Sequence, residues 1–120
     1  MDLNPFAFQQ ARIQQVVFKS RLRSVLHGVR AAEDSLFDAQ ANPVQQWVEA
    51  FLQPGYGALP EVGQLRLALS RQLAHSRGLV RDYQQGRIEE ARAGFAQVET
   101  VTDEINALLT ALEQRLRSPA

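Results

Sequence analysis

The sequence predicts an all-α protein, an antiparallel four-helix bundle with a short second helix. Three observations carry that expectation. Apolar residues recur at alternating steps of three and four over long stretches, the spacing that lines up one face of a helix. Pro and Gly punctuate the chain where those stretches end. No run alternates apolar and polar residues at the period of two that a half-buried strand needs.

The first helix opens at Asn4-Pro5, with Asn as N-cap and Pro at the first helical position. Ala11, Gln15, Phe18, Leu22, Val25 and Val29 form its inner face, and it is expected to run to about Glu33. Residues 34–40 carry no clear pattern. Asn42-Pro43 repeats the start signal and opens the short second helix, with Val44, Trp47, Val48, Phe51 and Leu52 inward. Gln53-Pro54-Gly55-Tyr56-Gly57 reads as a loop, because Pro fixes φ and Gly permits positive φ. Pro60 opens the third helix, which turns Val62, Leu65, Leu69, Leu73, Val80 and Tyr83 inward and ends at Gly86 as its C′ residue. The fourth helix carries Ile88, Ala91, Phe95, Val98, Val101, Ile105, Leu108, Leu112 and Leu116, and Ser118-Pro119-Ala120 reads as a frayed tail. Short connections between long helices favour antiparallel neighbours.

The 120 residues suit one domain, taken as 1–120 with its core at about 8–116. A chain of this size buries roughly two thirds of its unfolded surface on folding. It has no cysteine, hence no disulfide and no thiolate ligand or nucleophile. No apolar run approaches the ~20 residues of a membrane span. The first eight residues hold Asp2 and no basic charge, unlike a secretory signal. A cytoplasmic protein without direct membrane insertion is expected, and Met1 suits a full-length chain. Net charge is zero, so no electrostatic case for nucleic acid exists. The charges nevertheless fall in blocks. Residues 1–32 carry Arg12, Lys19, Arg21, Arg23 and Arg30 against Asp2; residues 33–61 carry only acids; residues 62–81 carry only arginines; the remainder leans acidic. Such blocks are expected to complement one another between neighbouring helices.

Catalytic and metal-binding patterns are missing. His27 and His75 form no His-x-x-x-His, His-Glu-x-x-His or Glu-x-x-His pair, so each reads as a surface histidine. There is no Gly-x-Ser-x-Gly turn and no phosphate loop, since Gly55-Tyr56-Gly57 lacks the lysine and the helix that would follow. Glu89-Glu90 and Asp103-Glu104 fall on the solvent side of the fourth helix. Neither an enzyme nor a cofactor is expected.

Phe18-Lys19 followed by Arg21-Leu22, the lone Trp47, Leu59-Pro60-Glu61-Val62, Gly86 and Ala91 stand at spacings that resemble the chemoreceptor zinc-binding (CZB) domain family over about residues 8–116. That family's motif has a His three residues before an aromatic or Leu, a Cys five residues before Trp or an apolar residue, and then His-x-x-x-His. Carried onto this chain, the ligand positions are Gln15, Asn42, Leu69 and Leu73. Zinc needs a tetrahedral set of His, Cys or carboxylate, which an amide and two leucines cannot supply. The resemblance therefore implies a bacterial scaffold with its zinc site lost. It also implies a cytoplasmic signalling module of the kind joined to chemoreceptors or diguanylate cyclases, and often dimeric.

Asn42 doubles as a helix cap, and Leu69 and Leu73 suit a core one turn apart. Gln15 is the polar survivor. If inward, it needs a partner, expected to be Asn42, a backbone carbonyl or a water; otherwise it lies solvated at the bundle rim. The leading functional expectation is a metal-independent regulatory module working through protein–protein contacts, in chemotaxis or cyclic-di-GMP signalling, as a homodimer. Phe6, Phe8, Phe37 and Tyr56 are its exposed candidates. The alternatives are a small-ligand sensor built around Gln15, Phe18 and Trp47, which core filling by Leu69 and Leu73 opposes, and an unrelated four-helix-bundle adaptor.

Overall fold

The computed structural model describes residues 5–117; the expected N-cap Asn4 and the tail Ser118-Pro119-Ala120 lie outside the described residues. Among the described residues there are four helices and no strand. Helix α1 is Pro5–Leu26, α2 covers residues 43–56, α3 is Pro60–Gln84 and α4 is Ile88–Arg117. A 3-10 turn, Asp34–Phe37, interrupts the connection from α1 to α2. Helices α3 and α4 return on each other through residues 85–87, and the pairs Arg71–Glu104 (3.0 Å) and Glu61–Arg115 (3.3 Å) mark their antiparallel register. Helix α1 runs antiparallel to α4 along Arg12–Glu113 (2.6 Å) and Lys19–Glu99 (3.8 Å). The charge blocks thus complement one another between helices. At exposed positions such pairs add only ~0–1 kcal/mol each, so they set register more than stability.

Helices α1 and α3 end at glycines in the left-handed conformation, Gly28 (φ 72°) and Gly86 (φ 85°). In each case the residue after the glycine donates to the carbonyl five residues back, Val29 to Ser24 (2.9 Å) and Arg87 to Asp82 (2.9 Å). The glycine itself donates three residues back, Gly28 to Val25 and Gly86 to Tyr83 (both 3.1 Å). These are Schellman ends, which satisfy otherwise orphaned carbonyls. The Gly86 stop agrees with the sequence pattern. The expected continuation of the first helix to about Glu33 does not: the reversal at Gly28 stops it at Leu26 and leaves Val29 79% exposed, not inward. Arg92 holds this end from α4, its Nε donating to the Leu26 carbonyl at 2.9 Å.

Helix α2 also departs from expectation. Asn42 caps it, its Oδ1 accepting from the N–H groups of Val44 (3.0 Å) and Gln45 (3.1 Å). It then winds without a break through α-helical Pro43–Trp47, a π-helical turn at Val48–Leu52 and α-helical Gln53–Tyr56, so the expected loop at 53–57 is mostly helix. Pro54 would normally drive its ring into the carbonyl of Ala50 and leave that carbonyl without a donor. The wide π turn immediately before it relaxes that clash. The wider turn also keeps every fourth residue in line, so Val44, Val48 and Leu52 are buried while Phe51 is 52% exposed, against expectation.

The core falls into two apolar halves. One gathers Phe8, Val48, Leu52, Leu65, Leu69, Ile105, Leu109 and Leu112 with Trp47 against it. The other gathers Phe18, Leu22, Leu26, Leu73, Val80, Ala91, Phe95 and Val98, covered by Leu36, Phe37 and Tyr83. Phe8 is therefore a core residue, edge-on to Trp47 with centroids 5.1 Å apart, rather than an exposed candidate. Phe37 and Tyr56 are half-buried, and Phe6 remains exposed. No helix among the described residues is long and apolar enough to cross a membrane.

Replacing Gly28 by Ala forces a left-handed backbone on an L side chain, and the new Cβ would stand 2.9 Å from the Tyr83 hydroxyl. Urea unfolding of Gly28→Ala is expected to show a loss of about 1–2 kcal/mol; an unchanged midpoint contradicts the Schellman end.

Candidate functional site: a buried polar layer and its pocket

Between the two apolar halves lies a polar layer contributed by three helices. Gln15 of α1, Gln72 and Ser76 of α3 and Thr102 of α4 are all at most 1% exposed. Each stands where its helix's stripe predicts an apolar residue. On α3, Val62, Leu65, Leu69, Gln72, Ser76 and Val80 step by three and four. On α4, Val98, Thr102, Ile105 and Leu109 do the same.

Gln72 is the hub. Its Nε2 donates to Gln15 Oε1 at 2.7 Å and to Thr102 Oγ1 at 2.9 Å. Ser76 Oγ donates to the Gln72 carbonyl at 2.7 Å, and Thr102 Oγ1 donates to the Val98 carbonyl at 2.8 Å. Two acceptors nearby, Gln72 Oε1 and Asn106 Oδ1, are buried without a protein donor among the described residues. An unpaired buried polar group costs about 1–3 kcal/mol.

These bonds fix which way the amides point. A hydroxyl has one proton, and that of Thr102 is committed to the Val98 carbonyl. Thr102 Oγ1 can then only accept from Gln72, which must present its amino group. The same nitrogen reaches Gln15, so Gln15 must present its oxygen. The amino group of Gln15 consequently points away from the layer. It makes no bond among the described residues and is not a sealed-off atom. The outlet is a pocket of about 130 Å³ between α1 and the start of α2, lined by Gln14, Gln15, Phe18, Arg21, Leu36, Asn42 and Val44 among others.

Of the positions singled out from the sequence, Gln15, Phe18 and Asn42 come together in this pocket. Gln15 finds its partner in Gln72, not in Asn42, whose oxygen is used in capping. Trp47 stands apart, in a neighbouring cleft with Ala7, Gln10 and Gln14. Leu69 and Leu73 separate into the two apolar halves, and the one-turn pair in the polar layer is Gln72 and Ser76. Sequence reasoning passed over Gln72, Ser76 and Thr102 by following apolar identity. Strict three-and-four stepping along each helix finds all three. His27 and His75 are exposed. Among the described residues no three His, Cys, Asp or Glu side chains stand where they could share a metal ion.

Comparison with protein-family models, with curated proteins and with solved structures finds no match for this chain.

The layer is expected to act as a coupled unit. Gln72→Leu alone leaves the Gln15 oxygen buried without a donor and should destabilise by about 1–3 kcal/mol. Adding Gln15→Leu removes the stranded group, so the double variant should lose less than the two single changes combined. Urea unfolding of the four-member cycle tests this, and strictly additive losses count against it.

Proposed function

We propose that the chain is a metal-independent, CZB-like cytoplasmic signalling module that works through protein–protein contacts, beginning with a second copy of itself. The observation that carries this reading is a groove of about 630 Å³ between α2 and α3. Buried Val48 and Leu69 lie among its lining residues, Leu67 stands 68% exposed beside them, and the Glu49–Arg66 pair (2.8 Å) belongs to the same lining. An apolar concavity with a charged margin has the character of a contact surface, where a buried apolar patch is ringed by polar groups. Zinc plays no part in this reading, because the polar layer offers amides and hydroxyls, weak ligands for that ion.

Two measurements test it. Sedimentation equilibrium should find a dimer at micromolar concentration, shifted to monomer by Leu67→Asp with helicity unchanged; a wild-type monomer throughout removes self-association. Elemental analysis should find no stoichiometric metal in the purified protein, and one tightly held zinc per chain defeats the metal-independent reading.

A second reading, a small-ligand sensor, is favoured by the pocket beside Gln15 and Phe18. In that reading occupancy of the pocket bears on the adjoining polar layer and so on the packing of α1 against α3.

A further inference from the structure

The pocket between α1 and α2 is unusual in what its polar groups can do. Gln15 is left its amino group to offer there, because its oxygen is turned to Gln72 in the bond chain that runs on to Thr102. Asn42 is in the same position: its Oδ1 accepts from Val44 and Gln45, leaving Nδ2 free to donate. Neither nitrogen has a partner among the described residues, and neither is sealed from solvent. Both belong to side chains more than nine-tenths buried, so they are held in place by packing. Arg21 lines the same pocket and forms no ion pair among the described residues, although Arg12, Lys19 and Arg23 on its own helix all do. Among the described residues no Asp or Glu lines it. Apart from Gln14 the remaining lining is apolar, with Phe18, Leu36 and Val44 among it. Free donors beside hydrocarbon in one small pocket describe a site for an acceptor that carries a negative charge and a short apolar tail.

We propose that this pocket binds a small aliphatic carboxylate, its oxygens taken by the amide nitrogens of Gln15 and Asn42 and by the Arg21 guanidinium, and its tail set against Phe18, Leu36 and Val44. Guanidinium and amide N–H groups are matched to carboxylate oxygens, and a charged acceptor strengthens each bond. Size agrees. A dry cavity of about 150 Å³ accommodates benzene, so about 130 Å³ suits a carboxylate of four or five carbons. The inference rests on the ligand-sensor reading and adds the ligand's chemistry to it.

Titration calorimetry of the full chain with butyrate, butyramide and butylammonium, backed by protein-observed NMR shifts, tests it. Butyrate is expected to bind with a Kd of about 1 mM and to shift the side-chain amide signals of Gln15 and Asn42. Butyramide should bind at least about tenfold more weakly and butylammonium not at all. Arg21→Gln, an exposed substitution on a helix surface, should weaken butyrate about tenfold with the fold intact. Butyramide binding as tightly as butyrate, butylammonium binding in its place, or indifference to Arg21→Gln overturns the carboxylate assignment while a ligand pocket stands. Binding of none of the three compounds overturns the assignment and the ligand-sensor reading together. Tighter binding of inorganic phosphate than of butyrate also overturns it, since a phosphate site has no use for the apolar wall.

Discussion

The contact between Gln72 and its two neighbours organises much of this molecule. A single amino group bridges α3 to α1 through Gln15 and to α4 through Thr102, in a layer closed off from solvent. Burying amides in the middle of a bundle is expensive unless their bonds are made, and these bonds are made in only one alignment of the three helices. Sliding α1 or α4 by a turn would set the hub against Ala11 or Phe18, or against Val98 or Ile105, and strand its amino group. The layer therefore opposes slippage in a way that apolar packing, tolerant of exchange between similar side chains, does not.

That constraint reaches outward. Because Thr102 spends its proton on its own helix, the polarity of every amide in the chain of bonds follows, and the amino group of Gln15 is turned toward the cleft beside α2. Asn42 reaches the same cleft from a different cause, the need to cap α2. Two unrelated local requirements thus leave two donors facing one space. The structural layer and the candidate ligand site share Gln15, so whatever binds there touches the residue that registers α1 against α3.

The bundle is asymmetric, since α2 is much shorter than its neighbours. It closes over one apolar half alone, where Val48 and Leu52 pack with Leu65 and Leu109. The other half is covered by the chain after α1, through Leu36 and Phe37, and the Phe37 carbonyl is held by Arg77 of α3. The π turn in α2 belongs to the same economy of length. It carries the helix past Pro54 and keeps a straight inner line through Val44, Val48 and Leu52.

What the sequence by itself determined is the helical class, the Asn42-Pro43 and Pro60 starts, the Gly86 stop and most of the apolar core, because these follow from local backbone preference and from the helix period. Gly28 is a stop signal in the same terms, but the helical periodicity of the apolar residues runs on past it to Val29. At the candidate site the inward place of Gln15 was legible from its stripe; its partner was not. Only the tertiary structure decided that Gln15 meets Gln72, that Leu69 and Leu73 part into different halves of the core, and that Gln15, Asn42 and Arg21 share a pocket from which Trp47 is absent. The reason is physical. Spacing along one helix fixes which face a residue occupies, but a hydrogen bond between helices also depends on their relative rotation and shift, and these are settled by the packing of all the faces at once.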